Sequence, residues 1–469
     1  MAADPSSASA SVHDRVAAAL PGVRADLEAL VRIPSVSAAA FDQAHVRASA
    51  EAVAALLRDA GLPEVELLTA SRPDGAQGAP AVVARRPAPA GAPTVLLYAH
   101  HDVQPPGAEQ GWTTPAFEPV ERGGRLYGRG TADDKAGVLV HVGALRALLP
   151  TWGPQDGVGL VVFVEGEEEV GSPSFADFLA RHRDRLAADV IVVADSDNWS
   201  VDQPSLTTSL RGLVEARVTV RTLDHAVHSG MYGGPVPDAL TALVRLLDRL
   251  RDAGGELAVP GLHAGPAADV PMSEADLRAD AGVLDGVELI GTGPLPERLW
   301  TRAALTVVGL DAPSIAHASN TLLPSAAAKL SLRVAPGQDP AEAFEALRAH
   351  LLATAPFGAQ VEVELLEAGH PFAGDVTGPV YDAARAALGE AWGGAEVVHA
   401  GIGGSIPFIA DLTEQFPDAT VLVTGVEDPD TRAHGHDESL SLRVLERAVL
   451  AEALLLTRLS RRGEAPAPQ

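Results

Sequence analysis

Four short apolar runs, each leading to histidine or carboxylate residues, constrain the fold of this chain more than any other feature. The runs are rich in Val, Leu and Ile and alternate with helical patterns. They span residues 94–98, 158–164, 190–193 and 420–423. Because strands that are buried on both faces read as continuous apolar runs, the pattern predicts an α/β fold with a mainly parallel sheet and helices on both faces.

The residues that follow these runs are the first indication of a functional site. His100 and Asp102 follow the first run, glutamates at 165–169 follow the second, Asp195 follows the third, and His434 comes some ten residues after the fourth. In open α/β sheets the site lies outside the carboxyl ends of the strands. We therefore expect these four segments to converge.

A change of pattern in the middle of the chain predicts a second domain. Residues 213–221 and 361–366 alternate as half-solvated antiparallel strands do, and residues 239–253 carry leucines at helical spacing. The pattern predicts a smaller α+β domain inserted into the larger one. The expected division is a catalytic domain formed by 1–205 and 373–469, with an inserted domain at 206–372.

Composition excludes several classes of function. The chain has no cysteine, so a metal would have to be held by histidine and carboxylate side chains. Its formal charge of −27 opposes binding to nucleic acid or to anionic membranes. Residues 1–12 do not resemble a signal peptide, and no apolar run has membrane-spanning length, so a cytoplasmic location is the default expectation.

His100 and Asp102 lie two residues apart at a predicted strand end and therefore point to the same side. This spacing suits a metal-binding imidazole that a neighbouring carboxylate orients through the other ring nitrogen. The alternative is an ordinary polar strand end. The metal-ligand interpretation of this pair depends on the other segments described below.

The loop that contains Asp133 and Asp134 leads into an apolar helix from Val138. One of these aspartates could use both oxygens to bridge two metal ions about 3.5 to 4 Å apart. The alternative is a helix N-cap formed by one of them. The residues alone leave both interpretations open.

The stretch 165–169 places four carboxylates within five residues directly after an apolar strand. Such a cluster needs full solvation or cations, because its members repel one another. If it binds metal, one glutamate could be a ligand while the next takes a proton from water. After the following strand, either Asp195 or Asp197 could be a further carboxylate ligand.

Together these motifs resemble the family of dinuclear metallopeptidases that contains acetylornithine deacetylase, carboxypeptidase G, carnosinase and the cytosolic nonspecific dipeptidase. The resemblance is closest to the dipeptidase branch and extends from residues 27–37, LEALVRIPSVS, to His434. It implies two divalent metal ions per subunit, with Zn²⁺ expected and Mn²⁺ or Co²⁺ also compatible. It also implies that the inserted domain acts as a lid and dimerisation domain.

The resemblance assigns a role to each residue of the predicted site. Asp102 resembles the residue that orients the first imidazole, and Glu168 resembles the general base. Asp195 is preferred to Asp197 because Pro204 follows it at the spacing expected in the family. A cis peptide bond is expected after the bridging aspartate. The implied metal ligands are His100, Asp133, Glu169, Asp195 and His434.

The resemblance also implies substrate contacts in the inserted domain and beyond it. His228 resembles the histidine that reaches the active site of the partner subunit, where its imidazole would stabilise the oxyanion of the tetrahedral intermediate; this role requires a homodimer. The other implied substrate-binding residues are Asn320, Arg333, Gly404 and Ser405. One departure is Ile402, where dipeptidase relatives tend to have a glutamate, so a contact to the substrate's amino group would be missing.

The predicted function is metal-dependent hydrolysis of dipeptides or short peptides by an activated water, with Glu168 as general base. A second hypothesis keeps the chemistry but makes the substrate an N-acyl amino acid. A third is a non-catalytic scaffold that binds peptides. Against the scaffold, all five ligand positions and the base are present.

Overall fold

The structure is a computed structural model that describes residues 5–266, 268, 270, 272–404 and 407–460, with the backbone alone at 5–11 and 407. These residues form two compact units. The first comprises Met1–Thr208, Gly374–His399 and Asp411–Gln469, and the second comprises Ser209–Ala373 and Ala400–Ala410. Residues Ala400–Ala410 group with the second unit, although they were predicted to belong to the catalytic domain. Within this unit, Gly403 accepts a hydrogen bond from Arg211.

The helices lie in the following ranges: α1 (Pro5–Val31), α2 (Ala44–Asp59), α3 (Lys135–Leu148), α4 (Phe175–Leu186), α5 (Ser229–Tyr232), α6 (Ala239–Asp248), α7 (Glu274–Asp280), α8 (Pro340–Ala353), α9 (Pro379–Ala391), α10 (Pro407–Gln415) and α11 (Leu442–Ser460). In the part of the chain that is described, none of them has the length and apolarity needed to cross a bilayer.

The first eight strands are β1 (Glu64–Leu68), β2 (Ala81–Arg86), β3 (Thr94–His100), β4 (Val120–Arg122), β5 (Arg125–Tyr127), β6 (Gly159–Glu165), β7 (Val190–Val193) and β8 (Ser205–Leu210). The remaining strands are β9 (Gly212–Arg221), β10 (Val227–His228), β11 (Ala304–Asp311), β12 (Thr321–Leu322), β13 (Ser325–Val334), β14 (Gln360–Gly369), β15 (Phe372–Ala373), β16 (Val398–Ile402), β17 (Thr420–Val423) and β18 (Ser439–Ser441).

The four apolar runs become four adjacent parallel strands of the first unit. They lie in the order β6, β3, β7 and β17, and each neighbouring pair runs parallel. Antiparallel strands β2 and β1 extend the sheet beyond β6, and β8 extends it antiparallel beyond β17. The parallel order brings the carboxyl ends of β6, β3 and β7 to one edge, as the sequence predicted.

Helices cover both faces of this sheet because its strands are apolar on both sides. On one face, Val95, Leu97 and Ala99 of β3 belong to a core that includes residues of α1, α3 and α11. On the other face, Phe163 of β6 stacks on Phe175 and Phe178 of α4, with ring centroids 5.9 and 5.1 Å away. Burial on both faces explains why these strands show no polar alternation.

The second unit contains an antiparallel sheet in the order β11, β13, β9 and β14. Alternate residues of β9 are buried, and helices α6 and α8 pack against the sheet. Helix α8 begins after Asp339, whose carboxylate accepts a hydrogen bond from the Ala341 N–H at 2.6 Å. The predicted helix at 239–253 ends earlier, at Asp248. There the Arg249 N–H donates a hydrogen bond to the Leu246 carbonyl.

Candidate metal centre

Strand ends and two loops of the first unit bring the predicted ligands together. His100 ends β3, Asp195 lies two residues beyond β7, and Glu169 lies in a single turn of 3₁₀ helix that begins three residues beyond β6. Asp133 comes from the loop before α3, and His434 from the loop before β18. Sequence-distant residues thus meet because parallel strands end at one edge.

The His100 ring is oriented for ligation. Its Nδ1 donates to the carbonyl oxygen of Asp102 at 3.2 Å and lies 3.4 Å from the Asp102 Oδ1 atom. This leaves the lone pair on Nε2, which lies 3.1 Å from Asp133 Oδ1 and 3.8 Å from Asp195 Oδ1. Nε2 is buried and makes no hydrogen bond to any described residue. A buried acceptor nitrogen surrounded by carboxylate oxygens fits a metal ion better than a hydrogen bond.

Asp133 divides its two oxygens between the two imidazoles. Its Oδ1 faces His100, while Oδ2 lies 2.9 Å from His434 Nε2. The same nitrogen lies 3.2 Å from Glu169 Oε2. Two groups of donor atoms result, His100 with Asp133 and Asp195, and Asp133 with Glu169 and His434, and within each group the donor atoms lie within 4.8 Å of one another. Both groups share Asp133, which is the arrangement that two metal ions require.

The electrostatics of the cluster call for cations. Burial and the neighbouring negative charges raise the pKa of Asp195 to about 6 and the pKa of Glu169 to about 7. Burial, together with Asp195, Glu169 and Asp102, raises the pKa of Glu168 well above its usual value. Carboxylates held so close repel one another unless a positive charge lies between them. The donor set of imidazole and carboxylate, without sulfur, fits divalent ions such as Zn²⁺ or Mn²⁺.

Asp133 and His434 form the charged pair of the cluster. Burial opposes ionisation of Asp133, but the adjacent imidazoles of His100 and His434 hold the pKa of its carboxyl below the usual range. Hydrogen bonds to Asp133 and Glu169 raise the pKa of His434 to about 10, although 58% of its side chain is exposed. In the protein without metal, His434 therefore carries the proton that a metal ion would displace.

Asp102 and Asp134 act on the backbone of the site. The Asp102 carboxylate accepts the N–H groups of Glu168 and Glu169 at 3.2 and 3.1 Å. Asp134 caps helix α3 by accepting from Gly137 N–H, and its second oxygen accepts from the His100 N–H at 3.1 Å. The peptide bond between Asp133 and Asp134 is cis. The two aspartates therefore divide the roles that the sequence left open, one facing the donor cluster and the other forming the cap.

The glutamates of the acidic stretch are likewise divided. Glu165 accepts a hydrogen bond from the Tyr98 hydroxyl at 2.9 Å. Glu167 is buried and accepts from Arg72 Nε and from the Ala79 N–H. Glu169 belongs to one of the donor groups, and the charges of His100 and Asp195 act on Glu168. Because each member has a different neighbour, the stretch is not a solvated acidic loop.

Two further positions bear on the ligand assignment. Asp197 belongs to neither donor group among the described residues, and its backbone instead pairs with Glu427. Gln104, which no sequence motif indicated, makes three hydrogen bonds to Glu169. Its Nε2 donates to Glu169 Oε2 at 2.7 Å and to the Glu169 carbonyl, and its backbone N–H donates to Oε1. No local motif marks such a contact.

The predicted substrate contacts that the structure describes lie in the second unit. His228 and Asn320 are exposed neighbours, since the Ser229 N–H donates to the Asn320 carbonyl at 2.9 Å. Arg333 lies on β13, and Gly404 follows β16 and is half-buried. Ser405 lies outside the described residues.

A comparison with protein families decides the broader class. Residues 96–458, most of the chain, match the model of peptidase family M20/M25/M40. The chain belongs to this family. The range contains every residue of both donor groups, so the match covers the candidate metal centre.

Relatives of the M20 peptidase agree with this assignment. It is similar to a cysteinylglycine-S-conjugate dipeptidase of Corynebacterium striatum, with 38% identity over 369 residues that cover 78% of this chain and 81% of the relative. It is also similar to a Cys-Gly metallodipeptidase of Candida albicans, with 27% identity over 444 residues, or 89% and 90% of the two chains. The prediction of a metallopeptidase is confirmed, and divalent metal ions are implied.

The fold has solved counterparts. The structure of human carnosine dipeptidase 1 superposes with a TM-score of 0.75 at 23% identity, covering 96% of this chain and 98% of the human one. At that identity the likeness concerns the fold. The predicted α/β class with an additional domain is confirmed.

Proposed function

We propose that this M20 peptidase hydrolyses the peptide bond of dipeptides or short peptides with the help of two divalent metal ions. The observation that carries the proposal is the pair of donor groups that share Asp133. Further support comes from the relatives in Corynebacterium striatum and Candida albicans, both of which are named as dipeptidases.

The ligands of the two ions follow from the two groups of donor atoms. His100, Asp133 and Asp195 would hold one ion, and Asp133, Glu169 and His434 would hold the other. When bound, the ions supply Lewis acidity for the scissile carbonyl and lower the pKa of water towards 7. Zn²⁺ is the ion we propose first, with Mn²⁺ or Co²⁺ as alternatives compatible with the same donors.

Glu168 is the residue we propose as general base. A base works best when its pKa lies near the operating pH, and burial raises the pKa of Glu168 above its usual value. Its backbone is held by Asp102, which also contacts the His100 ring. Glu168 would take a proton from the attacking water and return it to the leaving nitrogen.

A cationic region of the second unit supports binding of a substrate carboxylate. Arg211 is only 8% exposed, and no described carboxylate lies at ion-pair distance from it. Burial, followed by the positive charge of Arg333, lowers the pKa of Arg211 to about 10. Arg211 Nε donates to the Gly403 carbonyl at 2.9 Å, beside Gly404. We propose that Arg333 and the backbone at Gly403 and Gly404 bind the carboxylate end of the peptide. The Arg333 guanidinium can bind a carboxylate through two parallel hydrogen bonds.

We propose that the enzyme is a homodimer in which His228 serves the site of the partner subunit. His228 is exposed, and beside it Met231 and Tyr232 are 74% and 48% exposed. Strand β11 is an edge of its sheet in the described chain, and its Val308 and Leu310 are half-exposed. Exposed apolar residues on a sheet edge favour association with another chain.

The N-acyl amino acid deacylase remains a second candidate because of Ile402. This residue ends β16 and offers no charge for a substrate ammonium group. Both candidates use the same ions, base and carboxylate contacts. They differ in whether the substrate needs a free amino group.

Hydrolysis of matched substrates separates these candidates. The metal-stripped full chain is assayed with free dipeptides and with their N-acetylated forms, with and without Zn²⁺ or Mn²⁺, beside a Glu168→Ala variant. We expect metal-dependent cleavage of the free dipeptides and none by the variant. Cleavage of the acetylated set alone would assign the enzyme to the deacylases. Inactivity with each metal would support the peptide-binding scaffold.

A further inference from the structure

The loop that carries His434 has an unfavourable backbone. Arg432, His434 and Asp437 have φ angles of 57°, 61° and 54°, in the left-handed region that residues with a side chain rarely adopt. Such conformations persist where the surrounding structure holds them. The loop is also exposed at His434, so its own packing does not explain the conformation.

One buried carboxylate at the end of this loop contacts the loop of Asp133. Glu438 is fully buried, and its Oε1 accepts the N–H groups of Ala132 and Asp133 at 3.1 and 3.2 Å. Its Oε2 accepts the Gly130 N–H at 3.1 Å. Three backbone donors from one loop therefore converge on a single side chain from another.

The charge of Glu438 is balanced by Arg129, which connects the loop of Asp133 to the loop of His434. Arg129 is 1% exposed, and its guanidinium donates to Glu438 Oε2 at 2.6 Å and to the Gly435 carbonyl at 3.1 Å. Gly435 directly follows His434. The ion pair therefore joins the residues beside one candidate ligand to the residues beside the other.

We propose that Glu438 is a positioning residue that sets the separation of Asp133 and His434 before metal arrives. It belongs to neither donor group, and it acts through the backbone of Asp133 and through Arg129. A site whose ligands are held in place loses less conformational freedom on binding, so it binds more tightly. The inference rests on the proposed metal centre and concerns how that centre is held.

Glu438→Gln tests the role with little change of shape. The glutamine side chain keeps one acceptor oxygen, but its NH₂ group replaces the other. This NH₂ group would face either the Arg129 guanidinium or the backbone N–H groups, and two hydrogen-bond donors cannot bond each other. We expect the dissociation constant for Mn²⁺, measured by calorimetric titration of the metal-stripped full chain, to rise about 10- to 100-fold. No substrate is present, so the result does not depend on which bond the enzyme cleaves.

A second buried ion pair provides a matched control. Asp428 is 3% exposed, and both of its oxygens accept from Arg125 at 2.9 Å. It ties the segment before His434 to β5 without contacting the loop of Asp133. Asp428→Asn should lower the melting temperature yet leave Mn²⁺ affinity near that of the unaltered protein.

Glu438→Asp covers the case in which the amide variant does not fold. Aspartate keeps the charge beside Arg129 but is too short to reach all three N–H groups, so Mn²⁺ affinity should still fall. The proposal is overturned if either folded Glu438 variant binds Mn²⁺ as the unaltered chain does. It is also overturned if Asp428→Asn weakens Mn²⁺ binding equally, because the effect would then be general loss of stability.

Discussion

The two units of the molecule hold their candidate functional residues in opposite ways. In the first unit, His100 and Asp133 are buried and each has several polar neighbours. In the second unit, His228 and Asn320 are exposed, and the described contact of the His228 ring is local. Its Nδ1 accepts from the Gly230 N–H at 3.0 Å, and its backbone pairs with Thr321.

The two sets of residues have different requirements. A metal centre needs ligands fixed before the ion arrives, because the carboxylates repel one another until it does. A residue that serves a partner subunit must instead remain accessible in its own chain. Substitutions in the two units should therefore affect different properties. Those in the first unit should change metal affinity or proton transfer, and those in the second should change the proposed contribution of one subunit to the site of the other.

The largest expected effect is loss of the general base. Glu168→Gln should lower kcat by about 10²- to 10⁴-fold, since the amide cannot take a proton. Mn²⁺ affinity, measured by titration, should change little because Glu168 belongs to neither donor group. Steady-state kinetics at saturating metal measure the loss.

Glu167→Gln is the matched control for that prediction. Glu167 is the preceding residue, but it bonds Arg72 and the Ala79 N–H away from the donor cluster. It should lose stability while keeping most of its activity. Equal loss of kcat in both variants would mean that the shape of the loop, and not a proton at Glu168, limits the reaction.

The next largest effect concerns the exposed histidine of the second unit. His228→Ala should lower kcat by about 10²- to 10³-fold, the loss typical of one oxyanion-stabilising donor, and should leave metal affinity unchanged. Mixing it with Glu168→Gln should restore part of the activity, because a mixed dimer would combine an intact base with a partner's intact histidine. A fully active monomer, measured by sedimentation, would remove the role in trans.

The sequence could predict the strands and the side chains that meet at their ends because each is marked locally. An apolar run ending in His100, or in the glutamates at 165–169, carries its own signal, and parallel strands then bring such ends together. Gln104 and Glu438 carry no such signal. Their partners lie 65 and more than 300 residues away, so their roles depend on tertiary contacts that no local pattern encodes.

The pH dependence of metal binding should also distinguish the units. The pKa of His434 in the protein without metal is raised to about 10, so its ion pair with Asp133 is complete below about pH 6.5 and is lost as the pH rises through 10. A metal ion must displace this proton. The apparent Mn²⁺ dissociation constant should therefore fall at least tenfold per pH unit between pH 6 and 8, and more steeply below pH 7, where Glu169 also loses a proton to the metal.

The same titration on His228→Ala should give the same slope, because that residue lies outside both donor groups. A slope near zero in the unaltered protein would mean that His434 is already neutral before metal binds. A changed slope in the His228 variant would contradict the separation of the two units.

The smallest expected effect comes from the side chain that holds Glu169. Gln104→Ala removes two hydrogen bonds to Glu169 but keeps the one from the backbone N–H, so Mn²⁺ affinity should fall by about tenfold, the low end for a residue that supports a ligand. Activity at saturating metal should be nearly unchanged. Gln338→Ala is the counterpart in the second unit, where the amide bonds Gly261 and His263. It should lower stability without affecting metal affinity. Equal losses of affinity in both variants would show that the effect of Gln104 does not come from its hydrogen bonds to a metal ligand.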